Sequence, residues 1–212
     1  AHVGVRPDGT ITLTYVNVVA GAGGFVDQDF QIKYAQCLPV PAPGTPACSP
    51  PVLVHLEINP LPFGGFLAAQ DFRIATYPKH ASRSDDGGME TYVVWDDCKV
   101  PLYFGNVCPD ADIFFKATLD SGGTWFPLGA PAPINDGLRD QMFHWVSADP
   151  ATGNIYIMYY SAFPDLFNHG LHILLSHIHP APGITGVDGT QVITTTLTDP
   201  ASDPILGNIF FG

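Results

Sequence analysis

The side chains in this sequence that could do chemistry are carboxylates set in close pairs, a late run of histidines and a handful of arginines. Asp96-Asp97 and Asp110-x-Asp112 each place two hard oxygen ligands in one short stretch, as do Asp27-x-Asp29 and Asp85-Asp86. Carboxylate pairs in loops suit Ca²⁺, which takes oxygen ligands in flexible numbers, so Asp96, Asp97, Asp110 and Asp112 are its candidate ligands, although none lies in an EF-hand pattern. A solvated acidic loop is the alternative. Histidines gather at His144, His169, His172, His177 and His179. On a strand His177 and His179 share a face, and such a pair can begin a metal site when a third ligand comes from elsewhere. The stretch Asn135-Asp136-Gly137-Leu138-Arg139-Asp140-Gln141 gathers groups able to hold a polar ligand or move a proton, with turn capping as the other role open to them. The arginines are Arg6, Arg73, Arg83 and Arg139. There is no Gly-x-Ser-x-Gly elbow, P-loop or dinucleotide fingerprint. Gly21-Ala-Gly-Gly24 lacks the helix that phosphate cradling requires.

These groups sit in a chain of 212 residues, 46% hydrophobic and only 13% charged, which can bury a sizeable core. Twenty acidic residues against eight basic ones give a formal charge of −12. That excludes a nucleic-acid or anionic-membrane partner, because both demand a basic face. No apolar run reaches the roughly 18 residues that cross a bilayer. With 22 Gly and 21 Pro, about a fifth of the chain, the composition favours many short strands joined by turns. Cys37 and Cys48 bracket a Pro-rich loop, and Cys98 and Cys108 bracket a second loop. Each pair is expected to form a disulfide contributing roughly 2–3 kcal/mol. Neither has C-x-x-C spacing, which argues against zinc and thioredoxin-like chemistry. Disulfides place the chain in an oxidising, extracellular setting. The chain has no initiating Met and no signal peptide, so Ala1 is expected to be a mature or trimmed start.

Strand patterning accounts for most of the length. Thr10–Val16, Glu90–Trp95 and Asn154–Tyr160 are β-branched and aromatic. Asp29-Phe-Gln-Ile-Lys33 and Asp112-Ile-Phe-Phe-Lys116 repeat one pattern, and Gly170–Ser176 is a weaker third copy. Short segments at His2–Gly9, Phe72–Pro78 and Phe143–Pro150 precede these, and outer strands follow at Val52–Leu56, Trp125–Leu128 and Gln191–Thr196. The chain is therefore expected to be all-β, in units of about 70 residues with four strands each. Between two strands lies Thr118-Leu119-Asp120-Ser121-Gly122-Gly123-Thr124-Trp125. There Asp120 can accept backbone N–H groups of its own loop, glycine supplies positive φ, and Trp125 can tuck under the turn.

The pattern Thr118-x-Asp120-x-Gly122-x-Thr124-Trp125 resembles the Asp box of the sialidase-like (bacterial neuraminidase repeat) β-propellers, and Gln141 to Tyr160 resembles the two inner strands of one of their blades. The likeness extends over nearly the whole chain, but only the second unit carries a full box. In the first unit the Cys37–Cys48 loop stands at that place, and in the third Gly183–Gly189, which lacks the Trp. The resemblance implies one β-propeller region over 1–212, with four-stranded antiparallel blades at 1–70, 71–140 and 141–205 and the inner strand of a fourth at 206–212. Propellers close with about four to eight blades. The remaining blades are thus expected from a longer chain, or from a second copy. A self-contained β-sandwich is the structural alternative.

The same resemblance implies either a secreted glycoside hydrolase acting on extracellular glycans or a non-catalytic propeller that binds glycan or protein, or forms a structural surface module. Sialidases share an Arg triad that clamps a carboxylate, a Tyr nucleophile with a Glu partner and an Asp acid/base; the guanidinium fork suits a planar carboxylate. Phe72-Arg73-Ile74-Ala75 resembles the motif that supplies the first triad Arg, with Ala75 where that motif has Pro. On this basis Arg73 and Asp140 are the catalytic candidates, and Asp136, Arg139 and His144 the ligand contacts. Tyr159 and Tyr160 would need a neighbouring carboxylate to act as nucleophiles, and blade core is their ordinary role. Thr118, Asp120, Gly122, Thr124 and Trp125 are structural in this family.

Overall fold

The computed structural model describes residues 1–19, 29–39, 44–57, 65–67, 73–85, 88–99, 107–134, 139–162, 170–178 and 189–193. The strand-forming segments pair into three meandering antiparallel sheets and one small sheet. The first sheet holds β1 (His2–Val5), β2 (Ile11–Val19), β3 (Asp29–Leu38), β4 (Ala47–Cys48) and β5 (Val52–Glu57). Next come β6 (Gly65–Leu67) and β7 (Arg73–Ile74), then β8 (Lys79–Asp85), β9 (Gly88–Cys98), β10 (Val107–Cys108), β11 (Ala111–Thr118) and β12 (Ala132–Pro133). The second sheet runs β8-β9-β11-β12, and β6, β7 and β10 form the small one. The third sheet is β13 (Gln141–Ala148), β14 (Ile155–Ser161), β15 (His172–Ile178) and β16 (Gly189–Val192).

The sheets stack in chain order. Ile32, Tyr34 and Val54 of the first pack on Val93, Trp95 and Trp125. On its other face the second sheet buries Tyr92, Val94, Ile113 and Phe115 against Val146, Ile157, Tyr159 and Leu174 of the third. The period-two alternation of β9 sends Val93 and Trp95 one way and Tyr92 and Val94 the other, so one strand serves two cores. The small sheet caps one end, where Leu67, Ile74, Cys98 and Cys108 meet Met142, Ala162 and Leu171. Both disulfides form, Cys37–Cys48 and Cys98–Cys108, and the second ties the small sheet to the end of β9.

The first strand of the second sheet is a correction to the sequence expectation. It is Lys79–Asp85, not Phe72–Pro78. Its residues, Lys-His-Ala-Ser-Arg-Ser-Asp, lack the β-branched and aromatic types that advertise a strand. It pairs nonetheless because β9 offers a full ladder, from Lys79 opposite Val94 to Asp85 opposite Gly88. Arg73 falls instead on β7, opposite Phe66 of the small sheet. The outer strand of the second sheet is also displaced. Phe126 makes only a single bridge to Ala117, and β12 supplies the pairing to Phe114 and Phe115. Asp27, Asp136, His169, His179, the 21–24 loop and Asn208–Phe211 lie outside the described residues, as does the Arg73 side chain.

The hairpin after β11 closes through its own side chains. Asp120 Oδ1 accepts the Thr118 hydroxyl at 2.7 Å and the Thr124 N–H at 2.8 Å, while Thr118 Oγ1 accepts the Gly122 N–H at 2.8 Å. Gly122 has φ 102°, and a Cβ there would sit 3.2 Å from the Tyr34 ring, so both conformation and space call for glycine. Trp125 lies beneath, edge-on to Tyr34 at 5.4 Å. The turn thereby docks on the first sheet, where Gln36 Nε2 donates to the Ser121 carbonyl. Arg6 crosses the same seam. Its guanidinium is buried and donates to Tyr34 Oη at 2.6 Å and Thr91 Oγ1 at 3.2 Å, with Gln36 and Ser121 further out.

Removing either device should be visible in urea unfolding. Asp120→Ala leaves two donors of the turn without their acceptor and is expected to cost about 1–2 kcal/mol. Arg6→Met, which removes the guanidinium donors from the Tyr34 and Thr91 hydroxyls across the seam, is expected to cost about 1–3 kcal/mol. Unfolding midpoints equal to those of the parent protein would show that neither group holds the seam.

Candidate functional site

β1, β8 and β13 are each the first strand of their sheet, and β8 packs between the other two. Where these strands begin, an open cleft of about 560 Å³ is lined by Ala1, His2, Tyr77, Pro78, Lys79, Phe143 and Tyr160. That volume falls in the range of small-molecule sites. Pro78 ends the irregular stretch before β8, so Tyr77 is presented from a short coil whose neighbours Ala75 and Thr76 are buried. Phe143 has φ 53°, an uncommon conformation for a bulky residue, and lies at the irregularity between Met142 and Trp145 in the β13–β14 ladder. Such a bulge re-aims side chains. It sets Phe143 edge-on to Tyr160 at 6.3 Å and leaves Trp145 exposed. Strained residues of this kind concentrate at binding and catalytic sites.

Lys79 joins the cleft to its floor. Its Nζ donates to the His144 carbonyl at 2.6 Å and lies 4.7 Å from the centre of the Trp145 ring, a cation–π distance. Below it Asp96, on β9, is buried and accepts the Tyr77 N–H at 3.2 Å. Burial pushes the Asp96 carboxyl up to about 6, against the backbone hydrogen bonds and the Lys79 charge that favour its ionised form. Burial also pushes His144 down to about 3, helped by Lys79. The His144 ring is fully enclosed. The Val94 and Tyr77 backbones face it, Asp96 Oδ1 is 3.9 Å from its Nδ1, and no partner comes within hydrogen-bonding geometry. His2 is lowered by burial and by Lys79. His80, beneath it, is pushed down to about 3 by burial and the neighbouring His2 and Arg6 charges, and bonds Thr12 Oγ1 at 2.7 Å, Thr14 Oγ1 at 2.9 Å and His2 Nδ1 at 3.1 Å. The imidazoles at this site are therefore neutral at pH 7.

The sequence candidates distribute unevenly over this geometry. His144 and Asp96 sit under the cleft and Tyr160 lines it, whereas Tyr159 is core, its hydroxyl 3.0 Å from Ser176 Oγ. Asp140 is buried; its carboxylate accepts the Ala111 N–H at 2.9 Å and its carbonyl accepts that of Ala162. Arg139 is partly exposed at the entry to β13. Asp97 accepts the Cys98 N–H at 2.8 Å, and Asp112, directly opposite Asp97 in the ladder, lies 3.2 Å from Lys99 Nζ. Asp110 accepts the Lys99 N–H through its backbone. Among the described residues no three His, Cys, Asp or Glu side chains converge as a metal site would require. Tyr77 and Lys79 carried no signal in the sequence. Their types are ordinary, and only the pairing of β8 brings them beside Phe143. No protein-family model matches the chain, and no curated protein matches it.

The buried titrating groups fix a pH dependence. His80 and His144 bind a proton near pH 3 when folded but near 6.5 when unfolded, so between these values the unfolded chain holds more protons and stability rises as pH rises. Asp96 works the opposite way from about 6 to 3.8, offsetting one of the two. Stability should therefore fall as pH is lowered from 6.5 to 4.5, by about 1.4 kcal/mol per pH unit for each net proton. Urea titrations across that range should show this, and His144→Gln should flatten the slope. A slope unaltered by the substitution would mean that His144 protonates as readily folded as unfolded.

Proposed function

We propose that the three sheets are consecutive blades of a secreted β-propeller and that the module binds glycan, without hydrolysing it, in the cleft where β1, β8 and β13 begin. The observation that carries this is the cleft lining. Tyr77, Phe143 and Tyr160 present aromatic surface around Lys79, and neither a carboxylate nor an arginine stands among the described lining residues. Aromatic faces with a few polar groups hold the C–H faces and hydroxyls of a sugar. Hydrolysis needs two placed carboxylates or an activated nucleophile. Arg6 is committed to the seam between the first two sheets and Arg83 to Glu90.

Three further features support the propeller reading. Inner strands lie side by side, each sheet meanders outward, and the Asp-box turn and the Cys37–Cys48 loop follow the third strands of their sheets. The outward faces support additional blades, from a longer chain or a second copy: Val3 and Val5 on one side, and Trp145 directly opposite Met158 on the other, are exposed. Two disulfides accord with secretion.

A glycan array probed with labelled protein tests the proposal, alongside turnover assays on fluorogenic glycosides including a sialoside. Retention without product release is expected, with Tyr77→Ala weakening the retained glycan about 3–10-fold. Release of the fluorophore would establish a hydrolase instead, and a blank array would remove the glycan assignment.

A further inference from the structure

We infer that a second cavity, further along the same three strands, is a subsite for one uncharged sugar ring. The ligand is then an oligosaccharide that lies along β1, β8 and β13. The inference rests on the glycan-binding proposal and deepens it. The cavity, of about 220 Å³, lies between Gly4 and Val5 of β1, His80 to Ser82 of β8 and Val146 to Ala148 of β13. The cleft uses the beginnings of the same strands, at His2, Lys79 and Phe143. Lys79 lines the cleft and the next residue, His80, lines the cavity; on β1 the step is from His2 to Gly4. At about 3.3 Å per residue, the two spaces follow one another along the strands. The cavity falls below the usual size of a site for a whole ligand and suits one unit of a longer one.

The walls of this cavity carry hydroxyls and main chain in place of charge. Thr12 Oγ1, which also lines it, lies 2.7 Å from His80 Nε2, and Ser82 Oγ lies 2.9 Å from Thr91 Oγ1. A hydroxyl has one donor and two acceptor positions, so each keeps capacity beyond that single bond. Ser147 is exposed and adds a third hydroxyl. β1, β8 and β13 are also the first strands of their sheets, so each has one edge that no described strand of its sheet pairs. Such an edge presents N–H and C=O groups, and a sugar hydroxyl can both donate to it and accept from it. No Asp, Glu, Lys or Arg stands among the described lining residues, and burial pushes His80 down to about 3, leaving it neutral at pH 7. An ionised sugar unit would lose hydration here without gaining a counter-charge. Val5 and Val146 offer apolar surface to the C–H faces of a neutral ring.

Chain length is the test. N-acetyllactosamine, its linear dimer and trimer, and chitobiose to chitotetraose are titrated by calorimetry against the wild type and single variants. Affinity should rise about tenfold once the chain is long enough to enter the cavity. Ser147→Phe, which fills the cavity from an exposed position, should bring the longer chains down to the affinity of the disaccharides. Ser82→Ala removes one hydroxyl and should lose about two- to threefold of the gain. Tyr77→Ala, in the cleft, should weaken every length by the same factor. Affinity independent of chain length, or equal weakening of short and long sugars by Ser147→Phe, would overturn the inference.

Soaking crystals of the full chain in glucose separates failure of the subsite from failure of the glycan proposal. Glucose is uncharged and one ring long, and it should occupy the cavity between Ser82 and Ser147 in wild type but not in Ser147→Phe. If no oligosaccharide binds and glucose still fills the cavity, the glycan assignment of the cleft falls and the subsite stands. If oligosaccharides bind regardless of length and the cavity holds no sugar, the subsite falls and the glycan assignment stands. A cavity without sugar, together with no binding of any oligosaccharide, removes both.

Discussion

The arrangement of this protein depends on one buried cation. Arg6 follows β1 directly and its guanidinium lies in the seam between the first and second sheets, with the Tyr34 and Thr91 hydroxyls as its short hydrogen-bond partners. Taking a charge out of water is costly unless its donors are met. These oxygens meet part of that requirement, while Nε lacks a partner. Asp8 is close enough for the charge to help hold its carboxyl low, after the hydrogen bonds from Thr10. A guanidinium fork is rigid and directional, so it fixes β1 relative to β3 and β9 in a way that apolar contact would not. The Thr118–Trp125 turn is held by the same group through Ser121. Gly4 shows how tightly the seam closes: a Cβ at that position would stand 2.7 Å from His80 Nε2.

From that seam the cleft follows. Setting β1 against β8 brings His2 onto His80 and toward Trp145, with ring centres 4.8 and 6.0 Å apart. Lys79 then bridges to β13 through the His144 carbonyl. The imidazoles there are buried deeply enough to stay neutral, which removes the repulsion that a cluster of histidines and a lysine would otherwise carry. The bulge at Phe143 packs edge-on against Tyr160. Backbone strain of that sort persists only where neighbours over-determine it.

Most of the strand content was legible in the sequence because β2, β9, β14 and β15 carry β-branched and aromatic runs whose alternation matches a half-buried or doubly buried sheet. The repeat of Asp29–Lys33 in Asp112–Lys116 marked equivalent third strands, β3 and β11. The Thr118–Trp125 turn was legible because its hydrogen bonds are local: Thr118, Asp120 and Gly122 bond within a few residues of one another, and local bonding leaves a spacing signature. β8 was hidden because its polar residues are stabilised by long-range partners. His80 is satisfied by Thr12 and Thr14 of another sheet, and Arg83 by Glu90 across the hairpin. The same lack of local signal kept Tyr77 and Lys79 out of sight, while Asp96 and His144 stood out by residue type and the fold sets both beneath the cleft.

The sequence alone determined an all-β chain with two loop-closing disulfides and one self-bonded turn, since each of these rests on residues near in the chain. Tertiary structure alone decided which strand opens each sheet and which side chains share the cleft. It also decided the charge state of each group there, because burial, not residue type, makes His144 neutral and lifts Asp96. Desolvation depends on what packs around a group, and for Asp96 those neighbours arrive from two sheets that only the folded chain brings together.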